Sequence, residues 1–503
     1  MCRPETTTRA TASLSQRERM LHETNMAGAS PDPSLYNEDL APIPFARRDW
    51  SWLNMATVWM GMVHNIVVYE AAAGLMALGF SAWECMEVVA VAYVVLFLAM
   101  WFNARAGTRY GIPFCVLIRS AFGPAGAQLP VLLRGFCAIF WFSVQAFAAT
   151  QAVDAVIGTV WPAWNAASLH ILGMSAHMWG AAVLVWALHA WVMGHGVSRI
   201  RNFELVAGPL VILIGLFATI WALNVAHGPG PLFAVPSRLH GMAFVGAFAS
   251  GVTGMIGMWA TFAVNIPDLS RFVRSERDQV LGQAIGLPVT ALVFTPMAII
   301  TTSATIILFG RPIWNPVDLL LALHHPLITV FGGAVIVLAT LSVNTVANIV
   351  PACYDLINLA PRRLNFDRAG PLVMALGLLF APWLWFNEAS SIFQALGIIS
   401  GLLGPVTGIM LADFFVIRRQ SLDVPALYQR HGRYGGQHGW HMPGLIAFVI
   451  GGIVAALGEI VPALSALNAV AWFVGVAVGG AIYTALAWKS ERRAVTDAGL
   501  QPQ

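Results

Sequence analysis

The sequence predicts an all-α polytopic membrane protein of about twelve transmembrane helices, organised as two inverted halves. Three observations predict it: an apolar excess, a strict alternation of arginine-rich loops, and glycine-interrupted spans at matching places in the two halves. Of 503 residues, 58% are hydrophobic and only 10% charged, with a mean hydropathy of +0.71. No soluble core needs so much apolar chain. The 19 Trp and 46 Gly fit the same class, since Trp anchors at membrane interfaces and Gly allows close helix contact.

A bilayer-crossing helix takes roughly 20 apolar residues. By that rule spans one to five fall near 51–78, 82–104, 126–158, 173–195 and 202–226, and spans six to ten near 242–266, 281–309, 327–357, 371–388 and 391–416. Two more lie near 442–463 and 467–488. Charge tests the count independently. Arg47 and Arg48 precede span one, Arg105, Arg109 and Arg119 follow span two, and Arg199 and Arg201 follow span four. Arg271, Arg274 and Arg277 follow span six, Arg362, Arg363 and Arg368 span eight, and Arg418, Arg419, Arg430 and Arg433 span ten. Lys489, Arg492 and Arg493 close the series, while the alternate loops hold little beyond Arg238 and Arg311. The positive-inside rule puts these loops and both termini in the cytoplasm of a cell-membrane protein, which requires an even number of spans. The net charge of +3 is therefore a topology signal, and no nucleic-acid partner is expected.

Residues 1–49 are polar and lack the apolar core of a cleaved signal peptide, so a mostly disordered cytoplasmic arm is expected. The expected division is a first half at 50–226, a second at 227–419, a loop with two peripheral helices at 420–488, and a tail at 489–503. The five cysteines, Cys2, Cys85, Cys115, Cys137 and Cys353, have no metal-ligand spacing and read as small apolar fillers.

The stretch Trp59–Gly74 carries His64, Asn65 and Glu70 inside an apolar run. Ionisable groups in a span are costly and face a bundle interior, a cavity or a conduction path, and Gly61 marks where the helix can depart from regular hydrogen bonding. The bland reading is close packing at Gly61, with His64 and Glu70 paired to neighbours. Span six holds Gly251, Gly254 and Gly257 before Trp259 and ends in Asn265-Ile-Pro-Asp268, a second interrupted span pointing to a midplane site. Gly397, Gly401, Gly404 and Gly408 give span ten a small-residue face, suited to tight packing or, as the preferred reading, to a helix that rocks as a gate.

In span three Trp141 and Gln145 share one helix face. An indole beside a side-chain amide suits a flat, hydrogen-bonding heterocycle, and Trp259 supplies an opposite wall. In span eight Asn344 and Asn348 lie four apart, with Ser342 nearby; singly such amides are more often interhelical glue. No Walker A loop, dinucleotide fingerprint or His-Glu-x-x-His motif occurs, so uphill transport would draw on an ion gradient.

Four stretches resemble the nucleobase:cation symporter-1 family of cytosine, uracil, purine, allantoin and hydantoin permeases: Asn37-Glu-Asp-Leu-Ala-Pro-Ile-Pro44, Ala106-Gly-Thr-Arg-Tyr-Gly-Ile-Pro-Phe114, Asn265-Ile-Pro-Asp268 and Leu411-Ala-Asp-Phe-Phe-Val-Ile-Arg-Arg419. The resemblance runs from about Asn37 to Arg419. It implies a LeuT-like fold, with spans one to five and six to ten as inverted repeats and two peripheral helices. It further implies that Trp141 and Trp259 sandwich the substrate ring, that Gln145 and Asn348 read its amide edge, and that Asn65 and Asn344 are neighbouring polar positions. The family's sodium site would use backbone oxygens of Gly61, His64 and Ala339 and the hydroxyl of Ser342. The next residue is Val343, which has no side-chain oxygen, so this site is weak and proton coupling is expected over sodium, with Glu70 and His64 as proton carriers. The expected activity is secondary active import of a small heterocycle, with no cofactor and no obligatory protein partner. A channel needs a continuous polar pore instead, and a membrane-embedded enzyme would need His64 and Glu70 as acid and base.

Overall fold

Span one is two helices, Trp52–Val63 and Ile66–Ala77, separated at His64 and Asn65. The computed structural model describes residues 31–63, 65–166, 169–194, 197–385 and 389–497; His64 and residues 1–30 lie outside them. A helix stands in each of the twelve predicted windows. Among the described residues, nine helices are long and apolar enough to cross a membrane. The other three windows are the broken span one, span five (Val197–Val225) and span nine. Span nine is a 12-residue helix, Phe366–Gly377, followed by short 3-10 turns. Ala381 takes a left-handed φ of 42° before Pro382, whose ring keeps the preceding residue out of the helical region.

Two long spans change pitch inside the bilayer region. Span seven contains a π-helical turn at Ile285–Val289 around Pro288, and span eight one at Thr345–Ile349 just before Pro351. Each proline lacks an N–H and clashes with the preceding turn, so the helix widens locally and continues.

Span six behaves differently from expectation. It is a continuous helix, Gly241–Asn265, and its interruption comes only at Ile266–Pro267. The glycines serve contact: a Cβ on Gly257 would sit 2.3 Å from the Leu396 carbonyl oxygen of span ten. Gly404 and Gly408 of span ten likewise form a packing seam. A Cβ on Gly408 would meet the Val476 oxygen at 2.1 Å, and one on Gly404 the Trp472 oxygen at 2.7 Å, both on span twelve. Close backbone approach of this kind replaces the hydrophobic drive that lipid removes.

The arginine-rich end is a dense polar joint, and the four family-like stretches meet there. Residues 31–49 form an ordered strap, unlike the loose arm expected. The Asn37 amide donates to the Pro361 oxygen at 2.8 Å and the Leu364 oxygen at 3.1 Å. Arg48 donates to the carbonyls of Ile43 and Thr108 at 2.9 and 2.6 Å, and burial brings its guanidinium down to about 10. Gly111, with φ of 71°, ends span two where a Cβ would strike the Ile43 oxygen at 2.5 Å. Asp268 accepts from the Phe114 N–H at 2.8 Å, and Ser270 donates to the Ala104 oxygen at 2.8 Å. Asp413 accepts from Ser120 at 2.5 Å, Tyr483 at 2.6 Å and Arg418 at 3.1 Å. A buried carboxylate held by three donors, as Asp413 is, favours one arrangement, because losing a partner leaves a charge in low dielectric.

The packing seam yields a paired test. Gly408→Ala forces carbon into backbone and should cost about 1–3 kcal/mol, seen as a lower unfolding temperature of the detergent-solubilised protein. Gly397→Ala, where nothing lies within 4 Å of the added carbon, should leave that temperature unchanged.

Candidate functional site: a buried aromatic and amide cluster

The break in span one is held by one side chain. Asn65 is extended, with φ −122° and ψ 159°; its Oδ1 accepts from the Val68 N–H and its Nδ2 donates to the Met62 oxygen, both at 2.9 Å. One amide thus caps the second half-helix and satisfies a terminal carbonyl of the first. Asn65 is therefore a staple between the two half-helices, and it also lines a cavity with Tyr69 and Ala339. Gly61 stays within the first half-helix, among the last residues whose carbonyls lack a next-turn amide.

Trp141 and Gln145 lie one turn apart on the span-three helix Gln128–Val160, 4% and 6% exposed. The indole Nε1 of Trp141 and the Oε1 of Gln145 are buried with no protein partner. Trp259 is fixed from two sides. Its Nε1 donates to the Tyr93 hydroxyl of span two at 2.9 Å, and its ring meets Trp59 of span one edge-on, centroids 5.7 Å apart. Trp141 and Trp259 belong to one continuous buried cluster.

Span eight supplies the second pair of amides. Asn344 Nδ2 donates to the Phe142 carbonyl of span three at 3.0 Å, next in sequence to Trp141, and lies 3.2 Å from His189 Nε2 of span four. Asn348 Nδ2 donates to Asn344 Oδ1 at 2.7 Å. Asn344 is thus bonded at both ends of its amide and orients Asn348. Asn348 itself sits in the π-helical turn, where the altered pitch re-aims side chains.

Of the expected sodium ligands, Ser342 is 1% exposed with an unpartnered Oγ, and Ala339 lines a cavity of about 150 Å³ together with Asn65 and Tyr69. Val343 is fully buried, and His64 lies outside the described residues. Glu70 is 3% exposed, its Oε2 has no protein partner, and Asp318 of the short helix Pro316–Ala322 is within electrostatic reach. Burial lifts the Asp318 carboxyl above its ordinary value, against the pull of Arg311. Among the described residues, no cluster of three His, Cys, Asp or Glu side chains suits a metal ion.

Sequence reasoning missed Trp59, Tyr93 and His189, each of which orients a site residue. His189 carried a signal, being an ionisable group in an apolar span; Trp59 and Tyr93 look like any core aromatics until the fold brings them together.

A first span split near its middle, π-turned spans seven and eight, and polar groups gathered beside the split define a LeuT-like transporter. A solved nucleobase-cation-symport-1 family transporter, in a closed conformation with bromovinylhydantoin bound, shares this fold. Its TM-score is 0.76 at 23% identity, covering 91% of this chain and 96% of that one. A Na+-coupled sialic acid symporter does so at a TM-score of 0.61 and 10% identity, covering 94% and 95%. The sequence model for permeases of cytosine/purines, uracil, thiamine and allantoin matches residues 42–475, and the chain belongs to that family. It is 40% identical to an allantoin permease of Bacillus subtilis over 90% of this chain and 93% of the relative. It is 34% identical to a purine-uracil permease of Arabidopsis thaliana over 87% and 73%. The protein is thus an integral membrane permease and no enzyme.

Asn65→Ala should remove the staple. Losing a cap and leaving a buried carbonyl unpaired costs about 1–3 kcal/mol together, measurable as a drop in thermal unfolding temperature. An unchanged temperature would show that the break is held by other groups.

Proposed function

We propose that this permease imports a nucleobase or related cyclic ureide or amide across the cytoplasmic membrane by alternating access, driven by protons, with both termini inside the cell. The observation that carries the reading is the buried, unpartnered Gln145 Oε1 one turn from Trp141, close to the Asn344–Asn348 pair. A buried acceptor left unmade costs about 1–3 kcal/mol, so a site carrying one is built for a donor that comes and goes. Trp141 and Trp259 stack on the ring, while Gln145 and Asn348 read its edge. The allantoin permease among the relatives supports a cyclic ureide over a bare purine. Spans one to five and six to ten act as the two moving repeats, with the split of span one between them.

Coupling follows from oxygen count. A hard cation gives up water only to a full set of oxygens. Ser342 offers one hydroxyl, but buried Val343 offers none and makes that corner apolar. Glu70, buried and unpaired at Oε2, is the proton carrier. A second reading, sodium coupling, is favoured by the unpartnered Ser342 Oγ, a ready cation ligand.

Counterflow in proteoliposomes separates carrier from channel, since only a carrier shows trans-stimulation. Trp141→Ala and Trp259→Ala should each abolish saturable uptake at normal protein levels, because stacking contributes about 0.5–1.5 kcal/mol beyond area burial and the enclosing wall is lost as well. Wild-type apparent affinity in either variant would defeat the sandwich.

With choline replacing sodium, an imposed pH gradient should still drive accumulation, and Glu70→Gln should retain exchange while losing that accumulation. Strict sodium dependence would establish the second reading, in which Glu70→Gln accumulates normally. Val343→Thr should raise sodium sensitivity without changing which heterocycles compete.

A further inference from the structure

We infer that His189, a residue of span four, sets the hydrogen-bonding polarity of the site and so selects rings that present an N–H beside a carbonyl. The inference rests on the reading of Gln145 and Asn348 as the edge-reading amides and deepens it to a substrate class.

The chain of constraint begins with a backbone carbonyl. His189 is fully buried, and its Nδ1 lies 2.8 Å from the Val185 oxygen. A carbonyl only accepts, so Nδ1 carries the proton and Nε2 is left as an acceptor. That acceptor lies 3.2 Å from Asn344 Nδ2, and the Phe142 carbonyl lies 3.0 Å from the same nitrogen. Two acceptors therefore clamp both N–H groups of Asn344, and its amide cannot turn over without setting oxygen against oxygen and losing both bonds. With the nitrogen held there, Asn344 Oδ1 must face the other way, where Asn348 Nδ2 donates to it at 2.7 Å. The orientation passes on. Asn348 spends one N–H on Asn344, so its Oδ1, the other end of the same planar amide, is set as an acceptor, and the buried Oε1 of Gln145 is an acceptor with no protein partner.

A site whose fixed groups are acceptors favours a ligand edge of donors. Cyclic ureides and imides have such an edge, an N–H flanked by carbonyls whose oxygens take the remaining amide N–H groups. A ring with a bare acceptor nitrogen at that position meets oxygen with lone pair and is rejected. Rejection of a mismatched polar edge is far stronger than rejection of a mismatched apolar shape. His189 thus acts as a positioning residue through Asn344 and touches no substrate. Its ring also meets Phe142 edge-on, centroids 5.4 Å apart at 82°, which allows shape and polarity to be separated.

The test compares inhibition of labelled-substrate binding by hydantoin and by its N-methylated forms, in the full-length purified protein. Wild type should prefer hydantoin by about tenfold or more, the worth of one buried hydrogen bond. His189→Phe keeps the ring contact and removes the acceptor. Its preference should fall to about twofold or less, through weaker hydantoin binding with the methylated forms unchanged. His189→Gln, which retains an acceptor oxygen, should restore most of the preference. Should His189→Phe not accumulate, His189→Met fills the same volume without polarity and reads the same ratio. General damage weakens both ligands alike and leaves the ratio intact, so an intact ratio in the apolar variants overturns the role of His189. Equal inhibition by both ligands in the wild-type protein overturns the edge-reading assignment itself.

Discussion

A helix interrupted within hydrocarbon must have its freed backbone groups taken up by protein, because no water is there to do so. Span one meets part of this requirement through Asn65, with its amide oxygen on one half-helix and its amide nitrogen on the other. Spans seven and eight meet it by widening into π turns where prolines remove an N–H. The interior polar groups of the site sit beside these irregularities because a break and a ligand site have the same need: polar atoms in a place lipid cannot reach. Tertiary packing then defines what remains free. Asn65 and Asn344 make their amide bonds within the protein, while the buried Oε1 of Gln145 has no protein partner.

The two ends of the molecule are built on different principles. Toward the middle, polar groups such as Gln145 Oε1 are left without a protein partner, and spans one and six meet through aromatic edges such as Trp59 on Trp259. At the arginine-rich end buried charges are paired, as with Asp413 and its three donors or Arg134 with Asp355 at 3.0 Å, although several of the guanidinium nitrogens have no partner. The stretches by which the family is recognised lie in this second region. They describe the joint between loops, away from the candidate site residues on spans three, six and eight.

That division explains what the sequence disclosed. Hydropathy and arginine alternation located a helix in every expected window, since both follow directly from the bilayer as solvent. The split in span one was legible because His64, Asn65 and Glu70 have no place in an ordinary lipid-facing helix. Span six misled because glycine serves unwinding and close contact equally, and only the neighbour at Leu396 decides between them. Span nine misled because its apolar run continues past Gly377 although the helix stops there. The commitments of Asn65 and Asn344 were out of reach, since they depend on which backbone carbonyl, Met62 or Phe142, comes within 3 Å. His189 was visible as an ionisable group in an apolar span, yet its effect passes through Asn344 before it reaches a ligand-facing atom.

The strap at residues 31–49 has a consequence for how the chain is made. Its anchors come from far along the sequence: the Asn37 amide binds the carbonyl of Pro361, 324 residues on, and Leu40 accepts from the Tyr428 hydroxyl, 388 residues on. The strap can reach Thr108 and Gly111 once span two is made, but its bonds to Pro361 and Tyr428 must wait until eight and ten spans have entered the bilayer. Contacts between such distant residues form late, because a long loop must be closed before they bring any return. Full docking of the strap is accordingly a closing event of biogenesis, and it can occur only on a molecule in which the loops after spans eight and ten lie on the strap's side.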